Sequence, residues 1–199
     1  DVVQQAFADY VRAGGGLLVI HSGSAGYAET PILRRLMGGV FVEHPPQCDV
    51  AYSPQPGHPL ADGSAPFTIK DEHYCMAFDD AQAEVFMIGT SEHGAQPAGW
   101  MRTEGKGRVC MLTPGHNVEV WLHPSYQAII RNALAPETKV LMLSHMLTGS
   151  GAILPVKEIC AEAKARGIIT VLDGAQTIGQ INVDVAAIGC AAYVGCFHK

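Results

Sequence analysis

Charge is what this sequence has least of. Asp, Glu, Lys and Arg together make up 16% of its 199 residues, against about a quarter in soluble domains generally. That scarcity implies extensive burial or a surface made for a partner. The charge present leaves a net of -6, so the chain lacks the basic face of a nucleic-acid binder, and no nucleic acid is expected as a partner. No apolar run reaches about 18 residues, which argues against a membrane-spanning helix, and no basic-then-apolar leader opens the chain. The six cysteines, at 48, 75, 110, 160, 190 and 196, include no Cys-x-x-Cys pair. Free thiols, mostly buried, in a reducing, cytoplasmic setting are the expectation. Repeats, low-complexity tracts and long charge runs are missing too. The chain begins at Asp1, within a helical pattern, rather than at Met, and a fragment is expected.

What is present divides at Arg131 to Lys139. Ahead of that seam, Val3, Phe7, Tyr10 and Val11 recur at helical spacing until Gly14-Gly15-Gly16 stops the pattern. Leu17-Leu18-Val19-Ile20 is a short continuous apolar run, as in a parallel strand buried on both faces. It ends in the small, polar stretch His21-Ser22-Gly23-Ser24. Ligands of open α/β sheets sit beyond the carboxyl ends of strands, so His21 and Ser22 are candidate pocket residues, with an ordinary strand-to-helix loop as the alternative. Pro31 to Met37 reads as a helix, and strands are expected at 40–42, 49–52, 67–69 and 84–89. A hairpin pair is expected around Glu104-Gly105-Lys106-Gly107, and a last helix opens at Pro124.

Seven of the nine histidines precede the seam, several just after strands. Among them His44, His73 in Asp71-Glu72-His73-Tyr74, and His116 after Pro114-Gly115 join His21, Ser22 and Glu72 as a candidate ligand pocket. Neutral imidazole ligates metals and acts as a general base near neutral pH. No His-x-x-x-His or similar spacing occurs, however, so polar pocket lining is preferred and no metal is assigned.

Gly14 to His21, His44-Pro45, His58-Pro59, Asp71 to Tyr74, Trp100 with Arg102, Gly105 to Val109 and Gly115-His116 follow one another in an order that resembles the ThuA-like, trehalose-utilisation group. The resemblance spans residues 1–134. It implies an α/β fold: a flavodoxin-like, class I glutamine-amidotransferase-like three-layer sandwich, incomplete here because a leading strand or two should precede Asp1. It also implies a role in carbohydrate metabolism on a sugar-related small molecule. His21 stands where amidotransferase relatives carry their nucleophilic cysteine. Without that thiol, glutamine hydrolysis through a thioester is not expected.

After the seam, Val140 to Leu143 reads as a buried strand ending at Ser144-His145. Pro155 opens a helix that Gly167 closes, and Ile168 to Leu172 forms the next strand, with Asp173 at its carboxyl end. This is a βαβ unit. Asp173-Gly174-Ala175-Gln176, followed at a distance by His198-Lys199, pairs an acid with a lysine. Pyridoxal phosphate needs both, one beside its pyridine nitrogen and one as covalent anchor. A solvated Asp and an exposed Lys are the alternative. The same residues, with Thr138 to His145, Ile153 to Cys160 and Gly179-Gln180, resemble class V aminotransferases, most closely the isopenicillin N epimerase-like and cysteine desulfurase-like enzymes. This resemblance spans residues 136–199 and implies part of the large domain of a pyridoxal-phosphate transferase, usually homodimeric. It implies Lys199 as the catalytic, cofactor-bonding residue, Asp173 on the pyridine nitrogen, and Gln176 on the phenolic oxygen. His198 would lie close to the phosphate, and His145 joins the cofactor-binding set. Cys196 stands where many members carry a phosphate-binding serine and is a weaker donor.

Residues 1–134 are therefore expected as a ThuA-like domain and 135–199 as a class V segment whose cofactor site is not whole. The partial sheet of the second piece is expected to pack loosely against the first or to extend from it. Two other readings stay open. One is a complete class V aminotransferase, epimerase or desulfurase acting on an amino acid, with its bulk elsewhere. The other is a non-catalytic fusion or misassembled product.

Overall fold

A computed structural model describes residues 2–79, 81, 83–134, 140–147 and 151–195. The residues 135–139 at the centre of the seam, and Cys196, His198 and Lys199, lie outside the described residues.

The sheet is built from the middle outward. β1 (Gly16–Ile20) comes from the uninterrupted apolar run, and all five of its residues are buried. Its neighbours are β8 (Gly107–Leu112) on one side and β9 (Val140–Ser144) on the other, both parallel to it. Beyond β9 come β10 (Ile169–Asp173) and β11 (Ala192–Val194), again parallel. Beyond β8 the sheet turns antiparallel through β7 (Gly94–Glu104), β6 (Glu84–Ser91), β3 (Cys48–Pro54) and β4 (Phe67–Asp71). The order is β11-β10-β9-β1-β8-β7-β6-β3-β4. A separate antiparallel pair joins β2 (Gly39–Glu43) to β5 (Cys75–Phe78).

Of the two expected arrangements of the second piece, loose packing or extension, the structure shows extension of the first sheet. Leu17, Leu18 and Val19 pair directly with Val140, Leu141 and Met142, so strands from both sides of the seam share one sheet. The reason is the edge that β1 would otherwise expose, an unpaired row of backbone groups that β9 satisfies.

Alternate residues of β1 feed two cores, since successive side chains on a strand point to opposite faces. Leu17 and Val19 pack with Ala8 and Val11 of α1 (Val2–Arg12), Leu36 and Met37 of α2 (Pro31–Met37), and Trp100. Leu18 and Ile20 face the other way, towards α4 (Pro124–Ala133) and α5 (Val156–Ala165). That second core is common to both pieces: Tyr126 and Ile129 belong to it, and so do Leu141, Leu143, Val156, Cys160 and Leu172. The helix termini follow sequence rules. Pro31 and Pro124 occupy first-turn positions where a missing N–H costs nothing, and Gly38 ends α2 in the left-handed conformation, φ 76°. α1 is tied to the β7–β8 turn by Lys106 N–H to Arg12 O (2.9 Å) and by close approach at Gly107, where a Cβ would collide with the Val11 carbonyl.

The second piece is covered on one face. Thr170 and Leu172 of β10 are buried, while Ile169 is 48% and, on β11, Val194 is 59% exposed. The reading of Ile168 to Leu172 as a strand holds, but burial of both faces, the usual state of a parallel strand, is not reached. Among the described residues, no helix is long and apolar enough to cross a membrane.

Candidate functional site

The carboxyl end of β1 leads straight into His21, which begins the 3-10 turn His21–Ser24. His21 has φ 49°, and it is the only described non-glycine residue at positive φ. A strand-to-helix turn strained in this way points its side chain up from the sheet, and non-glycine residues are held there when the surroundings over-determine them. The surroundings here are specific. Nδ1 of His21 donates to the Thr113 carbonyl (2.8 Å), so its Nε2 carries the lone pair when the ring is neutral. Tyr74 Oη lies 3.0 Å from Nε2, and the two rings stack with centroids 4.2 Å apart.

Glu72 follows β4 and lies at the centre of three imidazoles. Its Oε2 is 3.4 Å from His21 Nε2, and its Oε1 is 2.9 Å from His116 Nδ1 and 3.4 Å from His44 Nε2. Burial alone would raise the Glu72 pKa, but the His21 hydrogen bond and the positive potential of His116, His21 and His44 together hold it below the usual carboxylate value. Burial, with the charges of Glu72 and Asp71, drives the Tyr74 hydroxyl far above its ordinary pKa, so it stays a donor.

One fully buried carboxylate, Asp71, organises the loop after β8. It accepts from the backbone N–H groups of Gly115 (3.0 Å) and His116 (2.9 Å) and from the Tyr52 hydroxyl (3.0 Å). Tyr126 donates to the Pro114 carbonyl (2.7 Å) and Trp121 to that of Gly115 (2.8 Å). His116 is thereby fixed in a buried position, and its Nε2 has no hydrogen-bond partner among the described residues. One ligating atom from each of His21, Glu72 and His116 lies within 4.8 Å of the others, so these three could hold a metal ion.

Above them lies a cavity of about 260 Å³ lined by His21, Ser22, Phe41, His44, Glu72, Tyr74, His116 and Leu147 among others. Of the six candidate pocket residues, His21, Ser22, His44, Glu72 and His116 are therefore brought together. His73 is not among the lining residues: its ring faces β6, with Nε2 donating to the Gly89 carbonyl (3.2 Å) and Nδ1 2.6 Å from the Ser91 hydroxyl. Burial pulls its pKa down. Tyr74 was visible in the sequence only as the last residue of Asp71-Glu72-His73-Tyr74. Leu147 comes from beyond the seam, and Ser22 Oγ lies 3.0 Å from Ser144 Oγ at the end of β9. Nothing in the sequence pattern links those positions to the first piece.

The second group of candidate residues lies at the ends of β9 and β10. Asp173 is exposed, and its Oδ1 accepts from the Ala175 N–H (2.8 Å). Gln176 is partly buried. His145 is buried, its backbone N–H donates to the Asp173 carbonyl (2.8 Å), and its Nδ1 lies 2.7 Å from Tyr193 Oη. That hydroxyl also contacts Thr177 Oγ1, and the Tyr193 ring lies against Gly174, where a Cβ would collide with it. Burial lowers the His145 pKa. For a pyridoxal phosphate site, the open carboxylate of Asp173 fits the acid that faces the pyridine nitrogen. The His145 imidazole is already engaged by Tyr193.

A three-layer α/β protein, with polar groups converging past the carboxyl ends of β1, β8 and the edge strand β4, is the class that this fold and site define. The chain belongs to the trehalose utilisation family over residues 1–135 and to the class V aminotransferase family over residues 80–199, so that 80–135 fall under both. It is 43% identical over 67 residues to isopenicillin N epimerase of Amycolatopsis lactamdurans, which covers 34% of this chain and 17% of that one. It is 32% identical over 123 residues to cysteine desulfurase of Yersinia pestis (strain Pestoides F), covering 60% of this chain and 29% of that one. The chain thus spans less than a third of these curated relatives. In fold it is similar to a cytoplasmic protein of Salmonella typhimurium LT2, with a TM-score of 0.54 at 20% identity over 69% of this chain and 61% of that one. Class V aminotransferases and cysteine desulfurases are pyridoxal-phosphate-dependent.

Proposed function

We propose that the cavity above His21, Glu72 and His116 binds a sugar-related small molecule, and that residues 1–134 form a carbohydrate-metabolism domain. The observation that carries this reading is the convergence of three imidazoles, a carboxylate and a phenol on one partly enclosed, half-aromatic cavity. Phe41 and Tyr74 pack with ring centroids 4.3 Å apart and offer an apolar surface to one side of a ring-shaped ligand. Glu72, His44 and the Tyr74 hydroxyl supply acceptors and donors for hydroxyl groups. A volume of about 260 Å³ suits a ligand of monosaccharide size. His44, whose side chain is 35% exposed and 3.4 Å from Glu72, is the group best placed to exchange a proton with a bound ligand.

A second reading has its own support, in Asp173 and Gln176 at the end of β10 and in the similarity to isopenicillin N epimerase. Pyridoxal phosphate, when bound, supplies an electron sink for chemistry at an amino-acid substrate. In this reading Asp173 holds a proton at the pyridine nitrogen, Gln176 donates to the phenolic oxygen, and His198 and Lys199 complete the set. We take residues 135–199 to carry only part of such a site, its acid and its candidate anchor lysine. Beyond β9 the sheet continues into β1 of the first domain, and His145 is occupied by Tyr193. Catalysis by the class V region would then need parts of the enzyme outside this sequence. The five described cysteines, all free thiols, support a reducing, cytoplasmic setting.

Titration calorimetry of the whole chain with trehalose-derived sugars and keto-sugars tests the first reading. Binding heat is expected with at least one of them, reduced more than about tenfold in affinity by His44→Ala, where a hydrogen-bonding partner of the ligand is lost. Absence of heat with every candidate, from a chain whose circular dichroism shows it folded, would remove the sugar reading.

A further inference from the structure

We propose that His21, Glu72 and His116 are the protein ligands of a divalent metal ion of zinc-like preference, with an open coordination position facing the cavity. The inference rests on the same cavity as the sugar reading and deepens it by naming what would grip a ligand oxygen there.

Donor geometry is the first support. A tetrahedral ion with N and O ligands at about 2.0–2.1 Å sets neighbouring donors about 3.4 Å apart. His21 Nε2 and Glu72 Oε2 are 3.4 Å apart, and the three residues offer one ligating atom each within 4.8 Å of one another. Two imidazoles and one carboxylate, with the remaining position open, is a ligand set used by catalytic zinc sites.

Tautomer control is the second. A metal-binding histidine is normally held by a hydrogen bond from its other nitrogen to a carbonyl or carboxylate. His21 has that arrangement, with Nδ1 donating to the Thr113 carbonyl at 2.8 Å and Nε2 directed at Glu72 and Tyr74. The Nε2 lone pair thus faces both the Tyr74 hydroxyl and the Glu72 carboxylate, at 3.0 Å and 3.4 Å, and is free to turn from the one donor to an ion held with the other.

His116 gives the third and independent support. It is 5% exposed, its backbone is pinned by Asp71, and its Nε2 is buried with no hydrogen-bond partner among the described residues. A buried polar atom left without a partner is costly, and a bound ion is one of the few things that offset that cost in native structures. His116 lines the same cavity, with Nδ1 2.9 Å from Glu72 Oε1, and coordination of an ion through Nε2 would give the orphaned atom a partner.

With the ion in place, two neutral imidazoles and one carboxylate leave net positive charge on the centre. That charge polarises a hydroxyl or carbonyl oxygen of a ligand in the cavity. The Tyr74 hydroxyl, which lines the same cavity, would be available to donate to that ligand once His21 Nε2 is engaged by the ion. The short-range His-x-x-x-His spacing missing from the sequence is not needed, because the donors come from the ends of β1, β4 and β8.

The test uses the whole chain, stripped with chelator and titrated with zinc by calorimetry. Cobalt(II) is added in parallel to read coordination by visible absorption. The expected result is a single saturable zinc site per chain and a cobalt spectrum of low-coordinate nitrogen and oxygen ligation without thiolate charge transfer. Glu72→Gln and His116→Ala should each weaken zinc more than about 100-fold, beyond what loss of a mere supporting residue costs. Circular dichroism melts check that both variants fold, and the cobalt spectrum of the unaltered chain decides the matter if one does not. No saturable zinc binding by the folded chain, binding untouched by both variants, or a thiolate-type cobalt spectrum would overturn the proposal. The two readings separate cleanly. Zinc bound here with no sugar heat leaves the metal set standing and removes the sugar, whereas sugar bound at full strength by a chain that takes no zinc does the reverse.

Discussion

Leu17-Leu18-Val19-Ile20 and Ile169-Thr170-Val171-Leu172 are two similar strand sequences with different fates. Both lie in parallel strands of one sheet. In β1 every residue is buried, because α1 and α2 cover one face and α4 and α5 the other. In β10 burial alternates, with Leu172 at 0% exposure and Ile169 at 48%. An apolar run therefore specifies a strand, while burial on two faces depends on which layers the rest of the chain supplies. The candidate sites differ in the same way. At the ends of β1, β4 and β8, loops fold back and bring donors into a lined cavity. At the ends of β9 and β10, Asp173 is open and the nearby imidazole bonds to a neighbouring tyrosine.

The largest expected effect breaks the comparison at β10 itself. Leu172→Ala should cost about 2–5 kcal/mol, the usual range for emptying a buried leucine site. Ile169→Lys, three residues away on the open face, should stay within about 0.5–1 kcal/mol. Chemical denaturation read by circular dichroism measures both. Tryptophan fluorescence adds a second probe, since Trp100 and Trp121 both belong to the first piece. Leu172 shares its core with Leu18, Tyr126 and Ile129, so the two probes should shift together in the Leu172 variant. Equal losses from both substitutions would mean the Ile169 face is covered. A transition seen by circular dichroism alone would mean the second piece unfolds by itself.

A smaller effect distinguishes the two regions by acid. Burial keeps His73 and His145 below the ordinary histidine pKa. The unfolded chain then binds the extra protons, so stability declines as pH falls below about 6.5. Both regions contribute to that step. Glu72 and Glu104 also have lowered pKa values. For Glu104, burial opposes the shift and hydrogen bonds from Arg12 and Arg102 overcome it. Such carboxylates stabilise above their unfolded pKa of about 4.3 and lose that contribution as pH falls through the lower folded value. Only the first region holds them. Thermal midpoints from pH 7.5 down to 3.5 should therefore fall by a few degrees in two stages, the second steeper by tryptophan fluorescence. A flat profile between pH 7 and 5 would show that the two histidines are not held neutral.

Legibility followed range. The strands at 17–20 and 140–143 and the βαβ unit up to Asp173 were readable from local pattern, because periodicity and helix ends are short-range properties. The pairing of β1 with β9 was not, since nothing local says that Leu18 faces Leu141. Nor was β5, whose Cys75–Phe78 run pairs with β2 in a sheet of its own. At the site, strand-end position singled out His21, Glu72, His44 and His116 without saying that they meet. His73 has the same local signature yet turns to Gly89 and Ser91. Asp71 went unassigned because its work, holding the Gly115–His116 backbone, is visible only when β4 and β8 are side by side.

The smallest effect sharpens the contrast at Asp173. Its carboxylate is exposed and closes only its own turn, on the Ala175 N–H, so Asp173→Ala should cost under about 1 kcal/mol. If residues 135–199 carry just part of a cofactor site, the chain mixed with pyridoxal phosphate and then desalted should keep no cofactor absorbance band, and Asp173→Ala should change nothing in that spectrum. A band that survives desalting, shifts in Asp173→Ala and disappears in Lys199→Ala would mean that a whole site forms within these residues. The two ends of the sheet would then differ in ligand rather than in completeness. The sharing of β9 with β1 would then become a feature of a working protein with two sites.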